Sequence, residues 1–161
     1  MNNEWLNAYV LHRRPYRETS YIVDFFTLEE GRVSAVAKGV KNSKSDKKSL
    51  LQPFQHLRLQ LSGKSELKNL RHVESVSPSI NLVGTALFCA MYVNELTNRV
   101  MPAGLASDGV HNAYENALLQ KQTQVMNEGW ATFWHYTILN HLYDEGKLTD
   151  SFMLAQTKTT R

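Results

Sequence analysis

The chain has 161 residues, of which 42% are hydrophobic and 20% are charged, as in one or two ordinary globular domains. It contains no apolar run of about 18 residues, and the opening MNNEWLNAYV has no basic or apolar region, so neither a membrane span nor a secretory signal is expected. Cys89 is the single cysteine, which excludes a disulfide within the chain and favours a reducing, cytoplasmic compartment.

The net charge of +3 is unevenly distributed along the chain. Residues 1–80 contain 13 Lys and Arg against 8 Asp and Glu, a net charge of +5. Residues 81–161 contain 5 against 7, a net charge of −2. The basic first half therefore has two interpretations, a polyanionic partner such as nucleic acid or a solvated surface without a partner.

The first half contains five segments with the composition or the apolar–polar alternation of β-strands, separated by turn signals. They lie at residues 8–11, 21–26, 32–38, 57–61 and 67–76. Five short strands within about 75 residues predict a small closed barrel, such as an OB-fold. An SH3-like barrel would fit almost as well, because periodicity does not show how the strands pair.

The spacing of apolar residues becomes helical after Pro78. Three helical patterns follow, at residues 82–100, 110–118 and 130–142. We therefore predict an α+β fold with an OB-fold barrel at residues 1–78 and a small, shortened all-α domain at residues 79–161.

Two details of the helices follow from their sequences. Leu87, Phe88 and Met91 widen the apolar stripe of the first helix, so we expect this helix to be buried on most sides. Ser107 or Asp108 precedes the second helical pattern and is predicted to cap that helix.

Signatures of catalysis and of metal binding are incomplete. Gly63-Lys64-Ser65 resembles the end of a phosphate-binding loop, but the earlier glycine that such a loop needs is replaced by Arg58. His135 and His141 are six residues apart, which places them on different faces of a helix, and a zinc ribbon would need paired cysteines. We therefore predict a protein that is not an enzyme and that has neither a cofactor nor a metal site.

Basic residues cluster around one predicted turn. The segment KGVKNSKSDKKS at residues 38–49 contains five lysines against one acid, and HRRPYRETS carries further cations around a tyrosine. Lysine and arginine suit phosphates, and tyrosines can stack on bases, so we predict these DNA-binding residues: Arg14, Tyr16, Lys38, Lys41, Lys44, Lys47 and Lys48. Two alternatives stay open: the lysine loop is a merely solvated tip, and Tyr9 and Tyr21 fill the barrel core.

Several ordered motifs resemble a known family. The stretch AYVLHRRPYRETSYIVDFFTLEEGRVSAVAKGVKNSKS contains VLHxRPxxETS, FTxExGR and VAKG followed by a basic loop. LLQPF, SGKSELKNLRHVES and YVNELTNRV continue the pattern. Over about residues 5–100 the chain resembles the bacterial RecO family of DNA repair and recombination mediators.

The resemblance implies an N-terminal OB-fold followed by a helical domain. It also implies binding of single- and double-stranded DNA without catalysis, annealing of complementary strands, and recombinase loading on strands coated by single-strand-binding protein. RecR is the implied second partner, and the implied location is the cytoplasm, in association with the nucleoid. The family's basic surface corresponds to Arg14, Lys38 and the loop lysines.

The chain also departs from the family. Many members carry a four-cysteine zinc site, which one cysteine cannot form. The chain is shorter than typical members, and GWATFWHYTILNHLYDEG is only loosely similar to a helix of the family. An alternative function is therefore a protein-interaction module of the same pathway that has lost annealing activity.

Overall fold

The computed structural model describes residues 4–41, 47–120 and 130–149. Within them lie five strands, β1 Leu6–Tyr16, β2 Ser20–Thr27, β3 Gly31–Ala37, β4 His56–Ser62 and β5 Leu67–Ser75. The helices are α1 Lys47–Leu50, α2 Gly84–Val100, α3 Asp108–Gln120 and α4 Trp130–Asp144. In this part of the chain no helix combines the length and the apolar character that a membrane crossing requires.

The five strands form a closed barrel in the order β1-β2-β3-β5-β4. Antiparallel pairing of β1 with β4 closes the barrel, and β3 pairs with β5 in parallel. A five-stranded barrel with this crossover is an OB-fold, and the parallel pair distinguishes it from an SH3-like barrel. The predicted α+β class and the predicted OB-fold are therefore confirmed.

Alternation along the strands fills the barrel with one set of side chains. Val33, Ala35 and Ala37 are buried, as the pattern of β3 predicts. Leu51, directly after α1, is fully buried within the same cluster, so the short helix is anchored to the barrel core. The buried members of this cluster are Leu6, Ala8, Val10, Val23, Phe25, Ala35, Ala37, Val40, Leu51, Leu57 and Leu59.

A second core joins the outside of the barrel to the helices. Tyr9 and Leu11 of β1 and Phe26 of β2 belong to the same apolar cluster as residues of α2, α3 and α4. Tyr21 is partly buried against the barrel interior, as the alternative of a barrel-core role expects. Tyr9 is buried on the outside of the barrel, against the helices, so for Tyr9 that alternative is wrong. Burial of this cluster removes apolar surface of both the barrel and the helices from water, which stabilises their association.

An irregularity in β1 attaches α2 to the barrel. The register of β1 against β2 shifts between Val10 and His12. Asn94 of α2 donates through Nδ2 to the carbonyl of Leu11 at 2.9 Å and to the carbonyl of Val10 at 3.3 Å. The Asn94 side chain also accepts a hydrogen bond from the Tyr114 hydroxyl of α3, so one buried amide links the barrel to two helices.

The loop between α2 and α3 contacts the start of β3 at Gly31. Gly31 has a φ of 68°, and a Cβ at this position would lie 2.0 Å from the Leu105 carbonyl oxygen. Arg32 donates through Nε to the Met101 carbonyl, and its own carbonyl accepts from the Gly104 amide. A residue with a side chain would separate this loop from the barrel.

The expectation that α2 is buried on most sides is wrong. Its buried face consists of Ala90, Val93, Asn94 and Thr97. Phe88 is 71% exposed and Met91 is 53% exposed, because the described parts of α3 and α4 pack on the opposite side of α2. The cap of α3 is Ser107, whose hydroxyl accepts a hydrogen bond from the Val110 amide.

Candidate nucleic-acid interface

The outer face of the barrel is concave where β1, β2, β3 and β5 lie side by side. Arg14 is paired with Ile22, Ile22 with Val36, and Val36 with Asn69. This row of residues crosses four strands and faces away from the barrel core. The groove along it, here called the outer groove, is lined by Arg14, Tyr16, Lys38, Lys64, Lys68 and Asn69.

Lys68 lies at the start of β5, where the concavities of the outer groove meet. It pairs with the inward-facing Ala35, so its side chain leaves the sheet on the other face from that of Asn69. It lines three adjoining concavities, one of which contains Tyr16 and Lys38, and another of which contains Arg14 and Lys64. The Lys68 ammonium group donates to the Gly63 carbonyl at 3.2 Å, which fixes its position over the β4–β5 turn. The structure therefore brings three of the residues predicted from the sequence together with two lysines of the last hairpin.

The charge of the outer groove is mixed but mainly positive. Three acids, Glu18, Glu30 and Glu66, also line it. The cations are more numerous: Arg14, Arg17, Arg32, Lys38, Lys64, Lys68 and Arg71. A cationic groove on a barrel can follow a phosphate backbone without reading its sequence.

Tyr16 ends β1 at the edge of the outer groove. The Arg17 guanidinium carbon lies 5.1 Å from the centre of the Tyr16 ring. Arg17 has a φ of 51°, a left-handed conformation that turns the chain sharply at this point. A base that stacks on Tyr16 must therefore use the ring face opposite Arg17.

The loop lysines are divided between two places. The Lys41 amide donates to the Thr19 carbonyl at 2.9 Å, and Thr19 lines the outer groove, so Lys41 lies at the edge of the groove. Lys47 and Lys48 are exposed on α1, where the Lys48 carbonyl accepts from Arg13 at 3.2 Å. Lys44 lies outside the described residues.

Arg13 and Arg14 of β1 show that α1 and the outer groove lie on opposite faces of this strand. They are adjacent in a strand, so their side chains leave opposite faces of the sheet. The Arg13 guanidinium lies 4.7 Å from the centre of the Tyr21 ring, which packs against the barrel interior. Lys48 is therefore associated with the Arg13 side of β1, whereas Arg14 faces the outer groove.

The predicted list of DNA-binding residues omits Lys64 and Lys68, although the sequence shows them as cations of the last hairpin, and sequence reasoning missed the role of Asp24. Lys64 and Lys68 lie in the last hairpin, and the parallel pairing of Ala35 with Lys68 brings that hairpin beside β3. Asp24 is a buried acid that contacts Arg14, with Oδ2 at 3.5 Å from Nη1. A charged residue within the apolar run YIVDFF is the signal in the sequence that could have identified Asp24.

The described residues contain no group of three or more histidine, cysteine or carboxylate side chains that could hold a metal ion. The absence of a cofactor and of a metal site in the whole chain stays a prediction.

Comparison with known proteins identifies the barrel. The sequence model of the family described as recombination protein O N terminal matches residues 1–79, which include all five strands. The fold and this match define the class of the barrel: an OB-fold domain of the RecO N-terminal family.

Curated relatives extend the similarity beyond the barrel. The DNA repair protein RecO of Alteromonas mediterranea is 91% identical over 119 residues, which cover 74% of this chain and 51% of the relative. The RecO proteins of Pseudoalteromonas atlantica and Psychromonas ingrahamii are 57% and 42% identical over 73% and 74% of this chain, and over 49% and 51% of their own lengths. The chain is therefore a RecO-like protein that spans about half the length of the curated relatives it matches.

A second family model matches the other end of the chain. The model described as SpoVR like protein matches residues 110–161, a range that contains α4 and most of α3. This range includes GWATFWHYTILNHLYDEG, whose similarity to a RecO helix is only loose. The domain division at residue 78 stays a prediction, and part of the predicted helical domain has sequence similarity to a family other than RecO.

Proposed function

We propose that this chain acts in DNA repair as a recombination mediator that binds single-stranded DNA along the outer groove and carries out no bond-making chemistry. The observation that supports the proposal best is the position of the cations. Arg14, Lys38 and Lys64 lie along one concave face of a barrel that belongs to the RecO N-terminal family.

The proposed mechanism is electrostatic. Lysine and arginine side chains neutralise phosphates and release condensed counterions, so affinity falls as salt concentration rises. Neutralising two strands lowers their mutual repulsion, which favours annealing of complementary sequences. Tyr16 holds a base by stacking, which tolerates any sequence.

The proposed partners follow from the family. Single-strand-binding protein would present the coated strand, RecR would act in the same pathway, and recombinase loading would follow annealing. We propose binding of double-stranded DNA as the product state of annealing, with Lys47 and Lys48 on α1 and the loop residue Lys44 as predicted contacts beyond the outer groove.

Two double variants with the same change in charge test where DNA binds. Lys38 and Lys64 line the outer groove, whereas Lys47 and Lys48 lie on α1, and all four are exposed. We expect K38A/K64A to weaken binding of a fluorescent single-stranded oligonucleotide more than K47A/K48A does, in anisotropy titrations at several salt concentrations. For every phosphate that the variant no longer neutralises, the log–log salt slope should decrease by about 0.7.

The same titrations can contradict the proposal. Failure of the unaltered chain to bind the oligonucleotide even in dilute buffer would exclude it. A weakening confined to K47A/K48A would move the binding face from the outer groove to α1.

A second candidate function is protein interaction without annealing. The exposed apolar side chains of α2 favour it, namely Val83 next to the helix, Phe88, Met91 and Tyr92. Under this hypothesis the chain binds a partner protein of the repair pathway, and pull-down of single-strand-binding protein or RecR without oligonucleotide binding would support it.

A further inference from the structure

A buried acid lies beneath Arg14 of the outer groove, although acids repel phosphates. Asp24 on β2 is 2% exposed, whereas the neighbouring Arg14 side chain is 53% exposed. A buried carboxylate loses its hydration, a cost that is offset only by well-placed partners. The contacts of Asp24 therefore indicate what it contributes.

Both oxygens of the Asp24 carboxylate have partners. Ser34 on β3 donates its hydroxyl to Oδ1. Oδ2 lies 3.5 Å from Arg14 Nη1 and 3.8 Å from His12 Nδ1, both on β1. Asp24 is paired with His12 on one side and with Ser34 on the other, so the strand register itself places these groups together.

This arrangement fixes the direction of the carboxylate. The bond from Ser34 prevents rotation of the carboxylate and leaves Oδ2 facing Arg14. An arginine side chain has many rotamers, and restricting them before binding lowers the entropy that binding costs. Arg14 is held by an ion pair, and a guanidinium group has five N–H donors, so donors remain for a phosphate.

We propose that Asp24 is a positioning residue that holds the Arg14 guanidinium in the orientation that contacts the DNA backbone. This inference rests on the proposed function of the outer groove. Asp24 itself does not touch DNA, and it contributes to affinity only through Arg14.

The variant D24N distinguishes positioning of Arg14 from simple repulsion of phosphates, because the two roles predict opposite changes in affinity for DNA. Asn has the shape of Asp, but its uncharged amide no longer attracts the guanidinium. If Asp24 positions Arg14, D24N should weaken binding of a single-stranded oligonucleotide roughly two- to fivefold, the effect expected when a partly exposed ion pair is removed. If Asp24 only repels phosphates, removal of its negative charge should strengthen binding.

A double-mutant cycle with R14A separates positioning from a general structural role. We expect D24N to weaken binding in the unaltered chain and to have no weakening effect in an R14A background. Weakening of similar size in both backgrounds would show that Asp24 supports the barrel rather than Arg14, and would overturn the inference. Thermal unfolding of each variant reports whether the barrel is intact.

The variant S34A provides the same test without altering the acid. It removes the bond that fixes the carboxylate, so it should cause a smaller decrease in affinity that also disappears in the R14A background. Stronger binding by D24N would overturn the inference and leave the proposed function standing. Absence of any oligonucleotide binding by the unaltered chain would overturn both.

Discussion

At the scale of single residues, the contact between the barrel and the helices depends on buried polar side chains. His111 of α3 is 4% exposed, and its ring lies beside the rings of Tyr9 and Phe26 of the barrel. His111 Nε2 is buried without a hydrogen-bond partner. Burial lowers the pKa of His111 below its ordinary value of 6.5, and the nearby Glu115 opposes this effect.

This histidine makes stability depend on pH. Below pH 6.5 the unfolded chain binds a proton that buried His111 resists, so the free energy of unfolding should fall as pH decreases from 6.5 towards the lowered pKa. The fall is at most about 1.4 kcal/mol per pH unit for each such histidine, and stability should not depend on this group above that window. Urea denaturation between about pH 5 and pH 8 measures it.

Two substitutions test whether His111 causes this decrease in the free energy of unfolding at low pH. His111→Phe should reduce the fall, because an aromatic ring that cannot be protonated fits beside Tyr9 and Phe26. The control is His72→Gln, at an exposed position of β5, which should leave the decrease in the free energy of unfolding unchanged. His56 stacks on Tyr9 and its pKa is also lowered by burial, so part of the fall should remain. An unaltered profile in His111→Phe would contradict this account.

At the scale of elements, alternation and spacing in the sequence predict the strands and helices well. The alternation of residues 32–38 predicts β3 and its inner face, since β-strand geometry alone decides which side chains point together. The parallel pair of β3 and β5 could not be predicted, because pairing depends on contacts between distant residues. The same limit applies to the lining of the outer groove: Arg14, Tyr16 and Lys38 are local signals in the sequence, whereas the hairpin of Lys64 and Lys68 reaches the groove through that pair. DNA binding by these residues stays a prediction.

The burial of α2 shows a further limit of prediction at this scale. The wide apolar stripe that includes Phe88 and Met91 indicates a helix with several apolar faces. Which faces are covered depends on where α3 and α4 pack, and the spacing of residues in α2 contains no information on that. Asp24 was likewise unpredictable as a partner of Arg14, since its role depends on register between strands.

Helix α4 lies in the range that matches the SpoVR like protein model, yet it packs into the core between the outside of the barrel and the helices. Ile138 and Leu142 are fully buried and cluster with Tyr9 and Phe26, and Lys147 after α4 donates to the Ala106 carbonyl. Ser107, which caps α3, also donates to Glu145 Oε1 at 2.7 Å. A segment with SpoVR similarity thus packs on elements of the RecO-like part.

A matched pair of leucine substitutions tests this packing. Leu142 of α4 is 0% exposed and Leu119 of α3 is 48% exposed. L142A should lower the free energy of unfolding by about 2–5 kcal/mol, because it removes buried methyl groups and leaves a cavity. L119A should cost under about 1 kcal/mol, since little apolar area returns to water. Equal effects in urea denaturation would show that α4 is not packed on the core.

At the scale of the whole molecule, the uneven charge and the fold agree. The net charge of +5 in residues 1–80 belongs to the barrel, and its cations are concentrated along the outer groove and on α1. Residues 81–161 have a net charge of −2, and the described residues of α2, α3 and α4 expose apolar side chains such as Phe88, Met91 and Leu119. This division favours nucleic acid on the barrel and protein contacts on the helices.

Photo-crosslinking tests the central claim, that single-stranded DNA follows the outer groove, most directly. An oligonucleotide containing 5-iodouracil is irradiated with the protein, and crosslinked peptides are identified by mass spectrometry. We predict crosslinks in the peptide that contains Tyr16 and in the β4–β5 hairpin with Lys64 and Lys68. Crosslinks confined to α1 or to α2–α4 would contradict the claim.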